Sequence, residues 1–127
     1  MASKSQSKFE ESLRHLKDAI DFEETGQAKE DIKFLAISKA FEVAVEYAWK
    51  ALKAKVEDEG VSAPSPKETI RQAGRLGFIE NVEEWLAYIN TRNSSTHDYF
   101  SVPSDEYAKL AKEFMKDAKK IIKQGIR

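Results

Sequence analysis

Apolar residues along this chain recur every three or four positions, and nowhere do they alternate with polar ones over the length of a strand. That period, with its punctuation, predicts five helices. Ser7 followed by Glu10 is a capping-box pattern opening the first, whose stripe is Phe9, Leu13, Leu16 and Ile20 and which Gly26 ends. The second is the longest, over about 31–59 before Gly60, with Phe34, Ile37, Phe41, Ala44, Val45, Ala48, Trp49, Leu52 and Val56 on its main face. Ala40, Val43 and Tyr47 fall on its back. A helix apolar on two sides sits centrally in a bundle or lies at a dimer seam, and the pattern fits both. Ser65, Pro66 and Glu68 start a short third helix that stops at Gly77, and Asn81 with Glu84 starts a fourth that buries Val82, Trp85, Leu86 and Ile89. Pro103 breaks the chain and Ser104 caps a fifth, which sets Tyr107, Leu110, Ala111, Phe114, Ala118, Ile121 and Ile122 on one face and its lysines on the other.

Long helices joined by short loops are expected to pack as an all-α, antiparallel, up-and-down bundle of four main helices plus the short third one. At 127 residues the chain is expected to be one domain, 1–127, large enough for a real core. Composition agrees: 34% of residues are charged, 41% are apolar and only three are proline. The net charge of -1 does not announce a nucleic-acid binder, but the distribution is uneven. Residues 10–31 carry eight acids against three bases, whereas 109–127 carry seven bases against Glu113 and Asp117. Such polarity orients a partner or lets two helices attract each other. There is no cysteine, hence no disulfide or thiolate site, and neither a leader-like segment nor a run of membrane-spanning length is visible. The expected location is the cytoplasm.

Candidate chemistry is concentrated where the fourth helix runs out. Arg92-Asn93-Ser94-Ser95-Thr96-His97-Asp98-Tyr99 places a permanent cation, an imidazole and a phenol in one short span, and His15 is the only other histidine. An arginine that keeps its proton beside a histidine that can exchange one suits a phosphate-bearing partner. Polar residues at a helix end also cap and solvate it, and a histidine there can simply meet free carbonyls and the helix dipole. Glu42 and Glu46, four apart on the second helix, repel each other unless a cation intervenes; Arg92 and Lys50 are the candidates.

The phrase Arg92-Asn93, three residues, His97, one residue, Tyr99 resembles the signature of HEPN-fold proteins, and specifically their nucleotidyltransferase substrate-binding branch. Phe41-Glu42, Glu46, Trp49-Lys50 and Leu52 are similar to that family's second-helix pattern. Ser65-Pro66-Lys67-Glu68 and Glu84-Trp85-Leu86 match in the same order. The resemblance implies a helical bundle that acts as a homodimer beside a separately encoded minimal nucleotidyltransferase, as its substrate-binding or substrate subunit in a toxin-antitoxin-like pair. It also implies an alternative, a metal-independent ribonuclease in which Arg92 stabilises charge on a phosphorane and His97 moves protons, with nucleotide or RNA as the ligand. Asn93 keeps the pattern intact. Tyr99 is similar in position to a tyrosine that such partners modify with nucleotide; its bland role is a half-buried phenol with a hydrogen bond.

Other constellations carry less. The paired Glu-x-x-His motifs of di-iron bundles are missing, so neither metal nor cofactor is expected. Ser95, His97 and Asp98 crowd too closely for a nucleophilic triad. Gly74 and Gly77 follow no strand and lack the Gly-Lys ending of a phosphate loop. No sheet-borne Gly-Ser with spaced aspartates is present, so the chain is not itself the nucleotidyltransferase. The lysine face of the fifth helix meets either solvent or phosphates, without interleaved aromatics to stack bases.

Overall fold

The computed structural model describes residues 7–95 and 104–127, and every regular element among them is helical. The helices are α1 (Lys8–Thr25), α2 (Glu30–Asp58), α3 (Pro66–Arg75), α4 (Val82–Ser95) and α5 (Ser104–Lys123). Each start and stop has a local cause. Ser7 Oγ accepts from the Glu10 N–H at 3.0 Å while the Glu10 carboxylate accepts from the Ser7 N–H at 3.1 Å, the reciprocal pair expected of a capping box. Ser65 caps α3 at the Glu68 N–H, with Pro66 in the first turn where its missing N–H costs nothing.

The ends of α3 and α5 share one device. Gly77 and Gly125 adopt φ of 84° and 88°, the left-handed region that a side chain disfavours. This turns the following N–H groups back onto the helix: Phe78 donates to the Ala73 carbonyl at 2.9 Å, and Ile126 to the Ile121 carbonyl at 3.1 Å. The residue after each glycine thereby folds inward, and Ile126 is buried in the core. Arg127 then reaches Glu10 at 3.6 Å, joining the last described residue to the first turn of α1. Gly26 also ends its helix, but at an ordinary negative φ of -72°.

α2 packs against each of the other four helices, so the second apolar side read in the sequence belongs at least partly to a central position. Its main stripe is buried except for Trp49, which is half-exposed because its indole N–H turns to Glu46 at 3.2 Å. The core is aromatic. Phe114 meets Phe41, Trp85 and Tyr88 edge to face, at ring separations of 5.5, 5.8 and 5.3 Å, and Phe41 likewise meets Tyr107 at 5.4 Å. Two stripes are rotated from the sequence reading. On α4 the deepest side chains are Trp85, Tyr88 and Ile89, with Leu86 only half-buried; on α5, Ala108 and Met115 are buried where Leu110 and Ile122 are half-buried.

A buried polar tie accompanies that rotation. The Tyr88 hydroxyl donates to Asp117 Oδ2 at 2.5 Å, and Asn81 Nδ2 donates to the same oxygen at 2.9 Å, linking α4 to α5. Burial, then the hydrogen bond and charge of Asp117, push the Tyr88 phenol far above its usual range, so it stays a donor at any ordinary pH. Asp117 reads in the sequence as one acid among many lysines; its burial follows only from the α4–α5 contact.

Candidate functional site

The outward face of α2 carries Lys39, Glu42, Val43, Glu46 and Lys50 at helical spacing, and the last turn of α4 brings Arg92 against it. Together with Tyr47 and Asn93 these residues line a concavity of about 500 Å³. Glu46 is its hub. One carboxylate oxygen accepts from Arg92 Nη1 in a short charge-assisted contact and from Trp49 Nε1; the other lies 3.2 Å from Lys50 Nζ. The Arg92 side chain is 20% exposed, so the guanidinium is presented at the wall rather than held free in water. Its Nε and Nη2 donate to Asn93 Oδ1 at 3.2 and 2.8 Å.

Lys39, Lys50 and Arg92 oppose Glu42 and Glu46, which leaves the concavity one positive charge in excess. Desolvation pushes the Glu46 carboxyl up, but hydrogen bonds from Trp49 and Lys50 and the charges of Arg92 and Lys50 outweigh it, so its value lies below the ordinary 4.5. A group depressed on folding contributes stability that is present above its unfolded value and is lost as pH falls through the folded one. The Glu46 side chain is 36% exposed, so solvent screening limits that contribution to about 1 kcal/mol. Glu46→Gln is therefore expected to cost up to about 1 kcal/mol at pH 7, with the difference closing below pH 4.5. Urea unfolding at pH 7 and pH 3 checks this, and an unchanged gap would show that the carboxylate is not held by its neighbours.

Of the residues singled out in the sequence, Glu42, Glu46, Arg92 and Asn93 converge here, and both cations named as partners for Glu46 engage it. His97 and Tyr99 lie outside the described residues. Lys39 is an addition that the sequence reading lacks, although its place seven residues before Glu46 is a legible signal. His15 is exposed and lines an adjoining hollow with Ser12, Ala36 and Ala40, which shares Lys39 and Val43 with the concavity. Among the described residues no three His, Cys, Asp or Glu side chains converge as metal ligands. A larger concavity, about 570 Å³, lies between the start of α4 and the end of α5, but it is lined by two acids, Glu80 and Asp117, against Lys120, and Asp117 already binds Asn81 and Tyr88. The Arg92 concavity, with its cationic excess, is the better place for a phosphate-bearing ligand.

The family described as nucleotidyltransferase substrate binding protein like matches residues 4–125. The chain belongs to that family. The five helices among the described residues are the HEPN-like arrangement expected of it. Over 96 residues the chain is 24% identical to the Haemophilus influenzae protein named "Probable ribonuclease HepT", a match covering 72% of this chain and 66% of that one. This family member thus spans just under two thirds of that relative's length. A crystal structure from Thermus thermophilus superposes with a TM-score of 0.78 at 23% identity, covering 94% of this chain and 99% of the other. That likeness establishes the fold. No helix among the described residues is long and apolar enough to cross a membrane.

Proposed function

We propose that this chain, as one domain and as a homodimer in the cytoplasm, is the substrate-binding or substrate subunit of a separately encoded minimal nucleotidyltransferase, in a toxin-antitoxin-like pair. The observation that carries the reading is the Arg92–Glu46–Lys50 cluster lining an open concavity at the head of the family's Arg-to-Tyr phrase. Arg92 and Asn93 would hold nucleotide phosphate there, Glu42 and Glu46 would set the arginine's orientation, and Tyr99 would bind or accept the nucleotide. Ile32 and Leu35 support the dimer: they are 51% and 42% exposed on the face of α2 that leads into the site. A two-fold contact there would cover them beside the concavity.

Co-expression with the minimal nucleotidyltransferase of the same genome, followed by size exclusion with light scattering, tests both parts. A co-eluting complex containing two copies of this chain is expected, with association slowing as salt rises because exposed charges are screened over about 10 Å at 0.1 M. Separate elution at low salt would remove the partnership, and a clean monomer would remove the dimer.

The second reading is a metal-independent ribonuclease in which Arg92 and His97 are the catalytic pair, and the name of the Haemophilus influenzae relative favours it. Arg92 would hold phosphate oxygens as charge builds, and His97 would move the proton of a ribose 2'-hydroxyl or of the leaving oxygen. The product would then be a 2',3'-cyclic phosphate.

A further inference from the structure

α5 turns a ridge of lysines to solvent. Lys109, Lys112, Lys116, Lys119, Lys120 and Lys123 are all exposed, and at 100° per residue they fall within roughly one quadrant of the helix. From Lys109 to Lys123 the ridge runs about 21 Å at 1.5 Å per residue. The acids of α5 are segregated from most of it. Asp117 turns aside to Tyr88 and Asn81, Glu113 lies on that same flank, and Asp105 and Glu106 are in the first turn. Two lysines are engaged: Lys112 with Glu24 of α1, and Lys120 with Asp117 at 3.9 Å. Lys109, Lys116, Lys119 and Lys123 form no ion pair with a described residue.

Helix electrostatics accounts for only part of this row. Cations in a last turn complement the dipole, which covers Lys120 and Lys123, but Lys109 lies in the first half of α5, where the dipole offers it nothing. A protein partner fits poorly as well. Protein interfaces are depleted in lysine and build on an apolar centre, and here the apolar side chains of α5 face the core. A line of compact point charges without arginine forks or aromatic platforms suits a chain of phosphates, whose oxygens can be neutralised one by one with no base read.

We propose that the α5 ridge binds the phosphodiester backbone of a single-stranded nucleic acid, without preference for sequence or sugar, through Lys109, Lys116, Lys119 and Lys123. The ridge shares no residue with the Arg92 concavity, so this binding stands apart from the nucleotidyltransferase partnership.

Fluorescence anisotropy of the full chain with labelled 12-nucleotide oligo-U and oligo-dT, between 20 and 200 mM salt, tests the proposal. RNA and DNA are expected to bind alike, with log affinity falling against log salt at a slope of about -3, from about -0.7 per neutralised phosphate. Replacing all four lysines by glutamine should weaken binding roughly tenfold or more at low salt and flatten the slope, with helicity by circular dichroism unchanged. Lys116→Gln alone should take about 0.7 from the slope. Lys67→Gln, at an exposed lysine of α3 outside both the ridge and the concavity, should bind as the parent does. Absence of binding at the lowest salt, or a fourfold variant that binds like the parent, overturns the proposal. Binding lost in Arg92→Ala and kept in the lysine variant would place the phosphates at the concavity, sinking the ridge while leaving the reading of that site intact.

Discussion

Tyr99→Phe is expected to abolish transfer of labelled nucleotide from the partner nucleotidyltransferase onto this chain, because the phenol oxygen is the only atom removed and is the proposed acceptor. The same substitution should spare most RNA cleavage, in which the phenol has no assigned proton to move. His97→Ala should do the reverse. If the chain cleaves RNA, losing the one imidazole of the motif should reduce the rate roughly 100-fold or more, while EDTA leaves it unchanged. Arg92→Lys should also be damaging, since an ammonium cannot reproduce the planar two-donor grip on phosphate. Purified chain, the partner nucleotidyltransferase, radiolabelled nucleotide and an oligonucleotide with defined ends suffice to measure all three variants. Transfer that persists in Tyr99→Phe refutes the acceptor assignment. Cleavage that persists in His97→Ala, or disappears with EDTA, refutes the ribonuclease chemistry.

Phe114→Ala is expected to cost about 3–5 kcal/mol, the upper range for truncating a core side chain. Phe114 is fully buried on α5 and meets Phe41 of α2 and both Trp85 and Tyr88 of α4 edge to face, so its loss opens a cavity where three helices converge. Typical domains hold only about 5–15 kcal/mol in total, so the variant should unfold at a far lower urea midpoint. It should also loosen the anchoring of α4 through Tyr88, one turn before Arg92. A midpoint shift worth less than about 1 kcal/mol would mean that the ring is not packed as described.

Much of this protein follows from one-dimensional pattern. A helical stripe and a cap are local, because 3.6 residues per turn and the unmet N–H groups of a first turn are properties of the segment itself. Hence Ser7 with Glu10, Ser65 with Pro66, and the stops at Gly26 and Gly77 are all legible, as is the buried run from Phe34 to Val56. The pairing of Glu46 with a cation is legible for a related reason, since two carboxylates one turn apart require one. The family can be read from the order of its short motifs.

Tertiary structure alone decided the rest. Which of two neighbouring apolar positions is deepest depends on how a helix is rotated against its neighbours, so Tyr88 lies deeper than Leu86, and Ala108 and Met115 deeper than Leu110 and Ile122. Asp117 looks like a solvent-facing acid until α4 supplies a phenol, and Asn81 just before it an amide, to satisfy it in the interior. The choice of Arg92 for Glu46 likewise spans 46 positions of sequence, a distance over which no helical period speaks. Period and capping are set by bonds within a segment; rotation, burial of a charge and the meeting of α2 with α4 are set by what the other helices leave exposed.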